Sequence, residues 1–157
     1  MTDADERVYQ AERLALEGQV GRFSRFVQVE AWIGEILRDP RWIEELPARW
    51  SVDPPLEVAV LRRSRSATFS AAELDRPVIH LRDGSWDRLT IVHELAHLAS
   101  SDPSGHGAQF CAIELDLVRW FCGYHAYGAL RSAFADGGVT VQAPALGQRR
   151  GSAAARS

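Results

Sequence analysis

His93, Glu94 and His97 stand as H-E-x-x-H inside the stretch T-I-V-H-E-L-A-H-L-A. On an α-helix, residues four apart share one face a turn from each other, so the two imidazoles can bind a single metal ion. Glu94 follows His93 directly and projects beside that ion, where its carboxylate can bind and deprotonate a water molecule. The chemistry expected is metal-assisted hydrolysis with Zn2+ as the cofactor, His93 and His97 as ligands and Glu94 as general base.

A catalytic zinc site usually has three protein ligands and one open position. His106 is the leading candidate for the third, because Asp102-Pro103-Ser104-Gly105 can reverse the chain and Gly107 gives slack before a further helix. On that helix Phe110, Ile113 and Leu117 recur on the side of His106 and would pack it against the motif helix. Glu114 and Asp116 are rival ligands, in the window where thermolysin-like enzymes place a carboxylate. Each points about 80° away from the His106 direction on a regular helix. They can instead orient His93 or His97 by accepting the free ring N–H.

Weaker candidates lie on either side. His80, in the strand before the motif helix, either contacts substrate or is a hydrogen-bonded strand residue. Tyr124, His125 and Tyr127 follow the His106 helix and either donate to a developing oxyanion or pack at the surface. Trp32, Trp42, Trp50, Trp86 and Trp120 read as filler of core and interfaces.

The elements that must position these groups follow from periodicity. Leu89, Ile91, Val92, Leu95, Ala96, Leu98 and Ala99 make the motif helix apolar nearly all round, as a buried helix is. Two imidazoles and a carboxylate there cost several kcal/mol unless paired or bound to metal. This helix is predicted over 86–100 with Ser85 as its cap. Upstream, 5–17 has Val8, Ala11, Leu14 and Ala15 at helical spacing, and 26–38 has Val29, Ile33, Ile36 and Leu37, with Ser24 as a candidate cap. A short helical turn is expected over 41–46. Strands are predicted from Leu56, around Phe69 and over 77–81. Downstream, a helix starts near His106, Gly123 permits a break, and a last helical segment begins at Tyr124.

The chain of 157 residues is long enough for one domain, expected over 1–141, with a small, polar tail over 142–157 expected to be disordered. A net charge of −3 gives no reason to expect nucleic-acid or membrane partners. All its cations are arginine, and the clusters Arg62, Arg63, Arg65 and Arg149, Arg150, Arg156 read as solvated. The acidic, polar start lacks the features of a secretory signal, from which a cytoplasmic location is expected. Cys111 and Cys122 lack the spacing of a zinc ribbon and read as reduced, mostly buried thiols.

The stretch H-E-L-A-H-L-A-S-S-D-P-S-G-H-G-A-Q-F resembles the zincin active site of a small family of metallohydrolases from high-GC Gram-positive bacteria, and more distantly SprT-type metallopeptidases. In that family H-E-L-A-H is followed by H-G-x-x-F, here His106, Gly107 and Phe110. The resemblance implies His93, His97 and His106 as zinc ligands and Glu94 as catalytic base. It departs from DNA-acting SprT-type proteins, which add a zinc ribbon or basic segments.

The expectation is an α+β, zincin-like fold: a small three-stranded sheet packed on the H-E-x-x-H helix, with flanking N- and C-terminal helices. The strand over 77–81 would offer its edge to an extended peptide, by analogy with thermolysin-like enzymes. The expected function is hydrolysis of a peptide bond in a peptide or protein substrate. Alternatives are a non-catalytic zinc-stabilised protein-binding module and a SprT-like DNA-associated protease.

Overall fold

In the computed structural model, which describes residues 2–16, 20–45, 57–64, 71–73, 75–102 and 105–143, helices precede and follow a small sheet. The order is α1 (Asp3–Leu16), α2 (Phe26–Leu37), α3 (Pro40–Glu45), β1 (Ala59–Arg63), β2 (Ala71–Glu73), β3 (Val78–Arg82), α4 (Arg88–Ala99), α5 (Ala108–Phe121) and α6 (Tyr124–Asp136). The described residues therefore form a mixed α+β architecture with six helices and a three-stranded sheet. None of these helices is long and apolar enough to cross a membrane.

The sheet order is β1-β3-β2, with β1 parallel and β2 antiparallel to β3. The strand expected to offer an edge is thus the central one, paired on both sides, and the edges belong to β1 and β2. Burial accounts for this: Val78, Ile79 and Leu81 are buried, so apolar side chains of this strand are covered on both faces of the sheet, which suits an inner strand better than an edge. Val60, Ile79 and Ala72 are aligned across the three strands and pack into the core, while Leu61, His80 and Ala71 occupy the other face. Of the strand predicted around Phe69, residues 67–70 lie outside the described residues, as do Trp50, the arginines of the second cluster and the tail from 144 onward.

The core gathers Ile79 and Leu81 from β3, the apolar residues of α4, and Phe110, Leu117 and Val118 from α5. Trp42 on α3 is fully buried, while Trp32, Trp86 and Trp120 are partly buried against this core. Helix α1 packs chiefly on α6, and α5 lies between α6 and α4. On α1 the apolar stripe is Val8, Ala11 and Ala15; Leu14, placed there by spacing, is 63% exposed, and Glu12 is buried in the stripe instead. Arg62 is exposed, as expected of a solvated cation, and it also makes two hydrogen bonds of 3.0 Å to Asp83 and lies over the Phe26 and Trp86 rings.

Two caps differ from the predicted ones. Helix α2 starts after Arg25, whose backbone N–H donates to the Gln28 side chain, and Ser24 bonds that same side chain. Helix α4 starts after Asp87, whose carboxylate accepts from the Thr90 backbone N–H and the Thr90 hydroxyl at 2.8 Å each. A carboxylate reaches two donors where the Ser85 hydroxyl, two residues earlier, reaches neither. The same segment is tied to the chain before α2, since Phe23 N–H donates to the Trp86 carbonyl and Arg88 N–H to that of Gly21. Asp87→Ala is expected to lower stability by about 1 kcal/mol, measurable by urea unfolding. An unchanged midpoint would show that these backbone ties alone set the start of α4.

Candidate metal centre

Helix α4 carries the motif in the pattern its composition dictates: Leu89, Ile91, Val92, Leu95, Leu98 and Ala99 are buried, and His93 and Glu94 are each 5% exposed among them. The four-residue spacing brings the Nε2 atoms of His93 and His97 to 3.1 Å. His106 closes the set, its Nε2 also 3.1 Å from that of His93. It stands before α5 rather than on it. Gly105 gives the chain the left-handed conformation there, φ +80°, that a side chain would strain.

The outer faces of these rings are held by α1, a contribution the sequence reading missed. Glu12 meets His93 Nδ1, and Asp5 meets His106 Nδ1 at 2.8 Å. Each contact turns Nδ1 toward a carboxylate and Nε2 toward the other rings, the arrangement that fixes tautomer and orientation in metal sites. A signal existed: Asp5, Tyr9 and Glu12 recur at helical spacing, and Glu12 interrupts the apolar stripe of Val8, Ala11 and Ala15. Tyr9 stacks on His93 with centroids 5.5 Å apart and meets His106 edge-on at 4.9 Å. Phe110, fully buried, lies within 5.0 Å of all three imidazole centroids and floors the set.

Neither rival ligand joins the three nitrogens. Glu114 is completely buried, with Oε1 3.4 Å from His93 Nδ1, and neither of its oxygens makes a hydrogen bond. Burial, reinforced by the Glu12 carboxylate, pushes its pKa well above the ordinary value and so favours the uncharged acid. Burial pushes the pKa of Glu12 up as well, but His93 beside it outweighs this and holds Glu12 ionised. Asp116 instead pairs with Arg119 at 3.1 Å.

The other sequence candidates lie elsewhere. His80 binds Glu73 at 2.7 Å on the sheet face away from Ile79 and Leu81, as a hydrogen-bonded strand residue. Tyr124 is 79% exposed, His125 is exposed, and the Tyr127 ring packs under Arg119, all on the first turn of α6.

The donor set fits a divalent ion. A tetrahedral ion with bonds of about 2.0–2.1 Å separates its nitrogens by about 3.3 Å, close to the spacings at His93. A single N–H on His93 Nε2 cannot satisfy both neighbours at 3.1 Å, whereas one cation satisfies all three. The buried Glu12 carboxylate calls for a positive charge in the same place. Burial and the neighbouring imidazoles push the pKa of His97 down to about 3, which keeps its lone pair free to bind. Burial pushes Glu94 up to about 7, with the Glu12 charge adding to it and His93 and Arg63 opposing it. Glu94 has no hydrogen-bond partner among the described residues. Glu12, His93 and Glu114 form a second group of possible ligand atoms, wholly buried behind the first. Comparison with family models, with curated proteins and with solved structures found no match.

Proposed function

We propose that the protein is a zinc-dependent hydrolase of zincin type, a metallopeptidase in which His93, His97 and His106 hold the ion and Glu94 is the general base. The observation that carries this reading is the convergence of three imidazole nitrogens, with the buried carboxyl of Glu94 next to His93 on α4 and without a hydrogen bond to the described residues. A zinc ion there would polarise the substrate carbonyl and acidify a water molecule. Glu94 takes the proton from that water and returns it to the leaving nitrogen. Its raised pKa suits both halves of the task, because a base near neutrality gives back the proton it accepts. Glu12 and Asp5 keep the rings of His93 and His106 turned toward the ion. Phe110 shuts off the inner side.

Strand β2 packs against α4 and is paired to β3 on one side only among the described residues. An extended peptide can add to that edge by main-chain hydrogen bonds, which favours a polypeptide substrate over a compact one. The three described ion pairs of Arg41, Arg62 and Arg76 commit those cations to Asp39, Asp83 and Glu73, which lends nothing to a DNA-associated role.

Zinc-loaded protein is expected to cut fluorescein-labelled casein, to lose this activity on treatment with 1,10-phenanthroline, and to recover it with added zinc. Loss of metal should lower the melting temperature only modestly. Zinc-loaded protein that leaves casein and other unfolded polypeptides intact, and that unfolds when stripped, would instead be a structural zinc module.

A further inference from the structure

We propose that Tyr9 is a catalytic residue of this centre, its phenol hydroxyl donating a hydrogen bond to the carbonyl oxygen of the bond being cut. The proposal rests on the hydrolytic reading above and adds to it a donor that no H-E-x-x-H pattern specifies. Phe110 closes the buried side of the three imidazoles, within 5.0 Å of every ring. Substrate therefore arrives from the opposite side. Tyr9 contacts two of the three rings, His93 and His106, yet is 39% exposed, so it stands at the rim between ligands and solvent.

Its position is fixed by the same helix that fixes the ligands. Asp5, one turn before it, holds His106, and Glu12, nearly one turn after it, holds His93. Tyr9 thus sits between the two carboxylates that fix the outer Nδ1 atoms of these rings, and its own ring is held against both imidazoles, which limits where its hydroxyl can stand. Its hydroxyl has no hydrogen-bond partner among the described residues and is free to donate. A phenol keeps its proton at neutral pH. That proton stays on the phenol oxygen throughout, and the bond strengthens as negative charge grows on the carbonyl oxygen. Tyr124, His125 and Tyr127, on the first turn of α6, make no ring contact with the imidazoles.

The test compares the parent with Tyr9→Phe, which keeps the ring and its stacking. Both are loaded with Co2+, and acetohydroxamate, whose carbonyl oxygen imitates that of a substrate, is titrated while the visible cobalt spectrum is followed. The expected result is equal cobalt affinity, an unchanged spectrum before ligand, and acetohydroxamate binding weakened about tenfold or more in the variant. Equal acetohydroxamate affinity in the two proteins would overturn the role of Tyr9 while leaving the metal centre intact. A loss of cobalt affinity in Tyr9→Phe would overturn it too, since the residue would then act by packing the ligands. Failure of the parent to bind cobalt would instead overturn the hydrolytic reading on which the proposal rests.

Discussion

Glu94→Gln keeps its zinc and loses about a hundredfold to ten-thousandfold in kcat. The amide has the size and shape of the carboxyl, so the packing around this residue, 5% exposed on α4, is preserved. What is removed is the ability to take a proton. Glu94 is suited to that role because burial holds its pKa near 7 and no neighbour among the described residues occupies its oxygens. The structural role alone would predict a different outcome, since a buried carboxyl that serves only to fill space is replaced by its amide at no cost to turnover. Zinc content by mass spectrometry and casein cleavage under the same conditions read the two effects separately. A variant that cleaves as fast as the parent would remove Glu94 from the mechanism.

His106→Ala is expected to weaken zinc binding by more than about a hundredfold, beyond the range that loss of an orienting partner produces. The two carboxyls behind the ligands should then separate from each other. Glu12→Gln removes the carboxylate that meets His93 Nδ1 and is expected to weaken zinc about tenfold to a hundredfold. Glu114→Gln is expected to weaken zinc much less than Glu12→Gln does, because burial favours the uncharged form of Glu114 and its oxygen stands 3.4 Å from that nitrogen, farther than that of Glu12. Competition with a chromophoric chelator measures all three. If Glu114→Gln proved the most damaging and His106→Ala harmless, the carboxyl and not His106 would be the third ligand.

The part of the centre carried by local spacing was legible in the sequence. A four-residue repeat on a helix puts His93 and His97 together whatever the rest of the chain does, and the short turn before His106 limits where that residue can go. The same applies to the helices, whose periodic apolar positions brought Val29, Ile33 and Ile36 inside as expected. Contacts across long stretches of chain were not legible. Glu12 and Asp5 meet their histidines 81 and 101 residues away, and no local pattern pairs them. Only the carboxyl set in an apolar stripe hinted that α1 faces something charged. The order of the strands is a similar case, because the pairing of β1 beside β3 places the inner strand where the analogy with thermolysin-like enzymes put an edge. His80 followed the simpler of its two readings, since strand alternation turns it away from the core that holds Ile79 and Leu81.

Zinc K-edge X-ray absorption on the loaded protein reads the ligand set of the ion itself. The centre predicts three nitrogen ligands at about 2.0–2.1 Å with imidazole scattering, one further light-atom ligand and no sulfur. It predicts that this third imidazole disappears in His106→Ala. A spectrum with two imidazoles and a carboxylate, with thiolate from Cys111 or Cys122, or without any change in His106→Ala, would contradict it.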